Sequence, residues 1–163
     1  MISSEPQQNL KNSSNGSQPN WGGMIGKLID SMEIDQLLDY GCGRYHALTN
    51  TLHPNRDFTY QAYDPEVPEF SSEPVPSEMV VCLDFLSTLN QWEVDGVLDD
   101  LERLTQHVLF CTIETVKQPF VWWAPRLFER FDTQRIQVIS DQKFCFIAYA
   151  LDCHRIQFPT ISH

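Results

Sequence analysis

Two continuous apolar runs, EMVVCLDFL and HVLFCTIE, flank the stretch QWEVDGVLDDLERLTQ. This arrangement limits the fold more than any other feature of the chain. Unbroken apolar character over the length of a strand suits a strand covered on both faces. Between the two runs, Trp92, Val94, Val97, Leu98, Leu101 and Leu104 gather on one side of a helix. Glu93, Asp95, Asp99, Asp100 and Glu102 fill the other side, most simply as a solvated face. Strand, helix and strand in that order form a parallel pair joined by a crossover.

The same alternation extends towards both ends. Met24, Ile25, Leu28, Ile29 and Met32 recur at spacings of three and four, which predicts a short helix. DQLLDYG reads as a strand running into a glycine turn. RYHALTNTLHPN follows, with Tyr45, Leu48 and Leu52 at helical spacing, and stops at Pro54. That spacing predicts a helix with Tyr45 packed inward. FTYQAYDP is a second strand, ended by Asp64-Pro65, and the acidic, proline-rich EVPEFSSEPVPSE has no period and reads as a loop. FVWWAPRLFERF reads as helical from about Pro125, with proline suited to a first turn. TQRIQVISDQKFCFIAYALD splits at Ser140-Asp141-Gln142 into two β-rich runs, an antiparallel hairpin. The expected fold is α/β: a doubly wound, mostly parallel sheet with helices on both faces and an antiparallel C-terminal hairpin.

The chain has 163 residues, enough for one domain with a sizeable core. Residues 1–20 are rich in Ser, Asn, Gln, Gly and Pro and read as a disordered tail. One domain is expected over residues 21–158, followed by a short tail at 159–163. Twenty-two acidic against 11 basic residues give a net charge of −11, which opposes a long nucleic-acid partner. No apolar run approaches the roughly 20 residues of a membrane span, and the first residues lack the charged and apolar regions of a secretory signal. Of five cysteines, Cys82, Cys111 and Cys145 lie inside apolar runs, while Cys42 and Cys153 do not. With no Cys-x-x-Cys pair and no histidine at ligand spacing, they read as reduced, non-metal cysteines. A cytoplasmic protein is the corresponding expectation.

The chemistry centres on LLDYGCGRYHA at the end of the first strand. In an open parallel sheet, ligands bind beyond the carboxyl ends of the strands where strand order reverses. Gly41 permits a sharp turn, Gly43 lets a ligand approach the backbone, and a following helix N-terminus offers free N–H groups. Asp39 precedes the turn. Asp64, ending the next strand, can accept hydrogen bonds from both hydroxyls of a ribose, although Asp-Pro is also an ordinary turn start.

Asp39-x-Gly41-Cys42-Gly43 followed by a strand-end Asp64 resembles the class I S-adenosylmethionine (SAM)-dependent methyltransferases. The likeness runs over about residues 34–150 and is specific in the glycine motif. It implies a Rossmann-like methyltransferase fold with SAM as cofactor. Asp39, Gly41, Cys42 and Gly43 would lie around the methionine part, Asp64 at the ribose, and Asp84 near the cofactor at the end of the next strand. The resemblance has three departures. Tyr45 replaces a third glycine. Asp84-Phe85-Leu86-Ser87-Thr88 keeps only part of the family's next motif. The segment between Asp64 and Met79 is too short for the usual strand and helix, so that edge element is expected to be missing. Trp122 and Trp123 would flank an acceptor pocket or cover the core, and Glu114 would be a base or a solvated carboxylate.

The implied activity is methyl transfer to a small molecule or a protein, with the catalytic residues unassigned. Two alternatives stand beside it. One is a degenerate methyltransferase-like module that binds SAM or a partner, with the acidic helix as its contact surface. The other is an NAD-binding oxidoreductase, which wants a glycine where His46 stands.

Overall fold

The computed structural model describes residues 19–152; the two tails, apart from Pro19 and Asn20, lie outside this range, as do Cys153 and the last residues of the expected domain. Six strands form one sheet in the order β2-β1-β3-β4-β6-β5. They are β1 (Gln36–Tyr40), β2 (Thr59–Tyr63), β3 (Ser77–Leu83), β4 (Thr105–Glu114), β5 (Phe131–Ser140) and β6 (Lys143–Ala150). The first four are parallel, while β6 runs antiparallel to both β4 and β5. The hairpin turns at Asp141 and Gln142, with Ser140 opposite Lys143, as the polar break in the sequence predicts.

Helices cover both faces. α1 (Trp21–Met32) buries Ile25, Ile29 and Met32 on one face, against Leu37, Met79, Val81, Val108 and Phe110. Its start is fixed by Asn20, whose side chain accepts from the Gly23 amide at 2.9 Å. On the other face, α2 (Gln91–Leu104) and α3 (Phe120–Phe128) pack over Leu38, Val80, Leu109, Cys111 and Phe146. Val80 and Val81 are both buried, so β3 is covered on both sides, as its unbroken apolar run requires. Each fully buried aliphatic side chain contributes about 1.5–3 kcal/mol relative to exposure, and two such layers hold the sheet.

Three local expectations are corrected. No α-helix follows the glycine turn: the chain makes turns and then a 3-10 segment, Ala47–Asn50. His46 interrupts the path with a φ of 34°. The hydroxyls of Thr49 and Thr51 donate back to the carbonyls of His46 and Leu48, competing with a helical ladder. Leu48 and Leu52 are buried as expected, but they pack in the layer that α1 fills. Tyr45 does not join them and is 82% exposed. Lastly, α3 begins at Phe120 rather than near Pro125, so Pro125 lies inside the helix. Val121, whose carbonyl a proline there cannot bond, is largely exposed.

The edge beyond β2 is also as expected. Residues 64–76 hold only a 3-10 turn, Pro68–Phe70, and no strand. Gln61 of β2 closes this edge: its side chain accepts from the Val75 amide at 3.0 Å and donates to the Val75 carbonyl at 3.3 Å.

Candidate functional site

β1 lies between β2 and β3, so strand order reverses beside it and the glycine turn sits at the switch point. Gly41 and Gly43 have φ of 77° and 74°, the left-handed region that glycine alone enters without strain. The amides of Gly41 and Cys42 donate to the Tyr63 carbonyl at 2.7 and 3.1 Å. The Gly43 amide donates to Asp64 Oδ2 at 2.9 Å. Three successive amides are thus spent on the end of β2. The expected array of free helix-terminal N–H groups is absent here, because no helix begins at this point.

The two glycines meet different surroundings. A Cβ on Gly41 would lie 2.4–2.6 Å from atoms of the Phe85 side chain, including its Cβ. A Cβ on Gly43 would meet nothing within 4 Å. The chain itself therefore fills the space over Gly41 and leaves that over Gly43 open.

Asp39 and Asp64 are brought together at this turn, and both are buried. Asp64 also accepts from the Glu66 amide through Oδ1 at 2.9 Å, so each oxygen holds one backbone donor and keeps further acceptor capacity. Asp39 accepts from the Tyr60 hydroxyl at 2.6 Å. Burial lifts its carboxyl to about 6, with Tyr60 and then His46 opposing the rise and Asp64 adding to it. The Cys42 thiol is pushed up to about 12 by burial and by Asp39 and Asp64, so it remains a neutral thiol at neutral pH.

Asp84 stands apart from this pair. Its backbone is left-handed, with φ of 59°. Its carboxylate accepts from Thr112 Oγ1 at 2.9 Å and pairs with Lys143 Nζ at 2.8 Å. Its neighbours are therefore β4 and β6 rather than β1. The next residue, Phe85, is the one that abuts Gly41.

Beyond the ends of β3 and β4 lies a cavity of about 170 Å³ lined by Leu86, Val94, Glu114, Lys117 and Trp123, among others. Trp123 is buried, so it serves both the core and this wall. Trp122 stacks under Arg126, whose guanidinium carbon lies 3.8 Å from the ring centroid.

Tyr60, Phe85 and Lys143 are the contributors that sequence reasoning missed. Each acts across strands, and nothing local to its own position signals the partner. Alternation in FTYQAYD places Tyr60 on a defined face, but only the β1–β2 register, which pairs Tyr60 with Leu37, lets its hydroxyl reach Asp39 two residues along.

Three of the five acids of α2 form ion pairs within the chain. Arg130 contacts Asp99 at 2.9 Å and Asp95 at 3.5 Å, and Arg103 contacts Asp100 at 2.6 Å. Among the described residues, no helix is long and apolar enough to cross a membrane.

No family model matches the sequence, and no curated protein matches it. Solved structures do resemble the fold. The 16S rRNA methylase ArmA superposes with a TM-score of 0.57 at 14% identity, over 81% of this chain and 83% of its own. Magnesium protoporphyrin IX methyltransferase (ChlM) from Synechocystis PCC 6803, solved with bound SAM, gives 0.56 at 14% identity, over 79% and 74%. A SAM-dependent methyltransferase from Aquifex aeolicus gives 0.56 at 13% identity, over 80% and 89%. The chain therefore has the fold of the SAM-dependent methyltransferases.

Proposed function

We propose that the protein binds SAM at the glycine turn and transfers its methyl group to a small-molecule or protein acceptor. The observation that carries this reading is the junction of Gly43 and Asp64, which the Gly43–Asp64 hydrogen bond makes at the switch point of a methyltransferase fold. The site fits the cofactor on two counts. Gly43 leaves its side-chain direction open for close approach. Asp64 retains acceptor capacity on both oxygens for a pair of ribose hydroxyls.

In this assignment Gly41, Cys42 and Gly43 lie against the methionine part, and Asp39 supports the turn from below through Tyr60. Asp64 binds the ribose, and Asp84, braced by Lys143 and Thr112, marks the rim towards β4. Bound SAM supplies an activated methyl carbon on a sulfonium. The protein's part is to hold the acceptor in line with that carbon, so proximity and orientation carry much of the acceleration. A base is required only for an acceptor that must lose a proton. The excess of acid over base favours an acceptor other than a long polyanion.

The rival reading, an interaction module using the acidic helix, has less support. Arg103, Arg126 and Arg130 already answer Asp95, Asp99 and Asp100. The test is Asp64→Asn, which keeps an acceptor for the Gly43 amide but replaces the other oxygen with a donor. SAM affinity should fall at least about tenfold, the loss of one charge-assisted pair of bonds. Unchanged affinity in a folded variant would remove the ribose assignment.

A further inference from the structure

The cavity beyond β3 and β4 is a built compartment. Three side-chain links join the loop after β3 and the start of α2 to the loop after β4. The Glu114 amide donates to Ser87 Oγ at 2.7 Å, and Lys117 Nζ reaches the Thr88 carbonyl at 3.4 Å. The Gln118 amide group donates to Gln91 Oε1 at 3.2 Å. A fourth bond, from Trp123 Nε1 to the Gln118 carbonyl at 3.2 Å, fixes the indole against this frame. Between them lie about 170 Å³ with an apolar floor of Leu86, Leu89, Val94 and Trp123.

The rim carries both signs of charge, and neither Glu114 nor Lys117 has an ion pair among the described residues. The Glu114 carboxylate has no hydrogen bond or ion pair among the described residues. Lys117 has only its long contact to the Thr88 carbonyl. The two line the same cavity three residues apart, yet form no ion pair with each other. Four other cations of the chain, Arg56, Arg103, Arg130 and Lys143, each sit within 3.2 Å of a carboxylate. An acid and a base held apart over an apolar floor suit a ligand that carries the opposite charges on a small apolar body.

We propose that this cavity binds a small zwitterion, a free amino acid with an apolar side chain. Glu114 takes its ammonium group, Lys117 its carboxylate, and the floor its side chain. The volume lies below the roughly 300–1,000 Å³ of sites for drug-sized ligands, which restricts the occupant to a compact molecule. That this ligand is the methyl acceptor rests on the function proposed above. The loop geometry supports the link, because Phe85 abuts Gly41 while the adjoining Leu86 lines the cavity.

The test uses the full chain and three matched probes: leucine, 3-methylbutylamine and 4-methylpentanoate. These carry both charges, the cation alone and the anion alone. Each is titrated by calorimetry with and without S-adenosylhomocysteine, after SAM binding has been measured separately. Leucine should bind about tenfold or more tighter than either singly charged probe. Glu114→Gln should weaken leucine and the amine about tenfold and leave 4-methylpentanoate unchanged. Lys117→Met should weaken leucine and 4-methylpentanoate similarly and leave the amine unchanged. Leucine binding no better than the single-charge probes, or binding both variants as it binds the wild type, would overturn the proposal. So would absence of leucine binding in a protein that binds SAM. If leucine binds as described and SAM does not, the zwitterion site stands and its role as acceptor site falls.

Discussion

Gly41 and Gly43 share a backbone conformation but answer to different demands. Gly41→Ala would place a methyl group against Phe85 close to that residue's own backbone, in addition to the left-handed strain. The expected loss of stability is about 3 kcal/mol, read from denaturant unfolding. Gly43→Ala carries the strain without the clash and should lose only about 1 kcal/mol. It should nevertheless weaken SAM markedly, since it fills the open approach. Equal stability losses in the two variants would contradict the distinction.

Asp39 adds a pH signature at the same scale. Its carboxyl in the folded protein is lifted from 3.8 to about 6, so between about pH 4 and 6 the native state holds a proton that the unfolded state has lost. Stability from this group is therefore lost as pH rises through that window, by a few kcal/mol at most, on the order of 1.4 kcal/mol per tenfold change in proton affinity. Asp39→Asn removes the ionisation. The variant's stability relative to wild type should rise from pH 4 to 6 and then level off; a flat difference would refute the buried, lifted carboxyl. The glycines and both aspartates were legible in the sequence because turn and strand-end chemistry are local. The partners Tyr60 and Phe85 were not, because a cross-strand neighbour is fixed only by register.

At the scale of elements, the segment after the turn shows how a period can mislead. Tyr45, Leu48 and Leu52 have helical spacing, but three residues cannot outweigh the threonines between them, which bond back to the chain. The leucines are buried all the same, so the pattern reported burial correctly and geometry wrongly. Two substitutions separate these. Tyr45→Ala should change stability by no more than about 0.5 kcal/mol, as for an exposed side chain. Leu48→Ala should cost about 2–5 kcal/mol as a core truncation under α1. A large cost for Tyr45→Ala would restore the inward-packed helix. The long elements were easier to read. The helix α2 keeps one period and the runs of β3 and β4 stay apolar over most of their length, whereas the start of α3 was misplaced by a proline that the exposed first turn tolerates.

For the whole molecule, alternation of strands and helices was enough to indicate a parallel sheet with a closing hairpin, because handedness and crossover rules leave few other arrangements. Strand order itself, which makes β1 the point where the order reverses, came only with the structure. The shortened edge has a physical seal in the Gln61–Val75 pair, so β2 can end the sheet without a further strand. What remains is a methyltransferase fold whose glycine turn is bound to the end of β2 through Asp64 and Tyr63. The function proposed for it requires this turn to hold SAM. Calorimetric titration of the purified protein with SAM, S-adenosylhomocysteine and NAD tests it most directly. Saturable micromolar binding of SAM and S-adenosylhomocysteine, and none of NAD, is the expected result. Absence of SAM binding by the folded protein, or a preference for NAD, would contradict it.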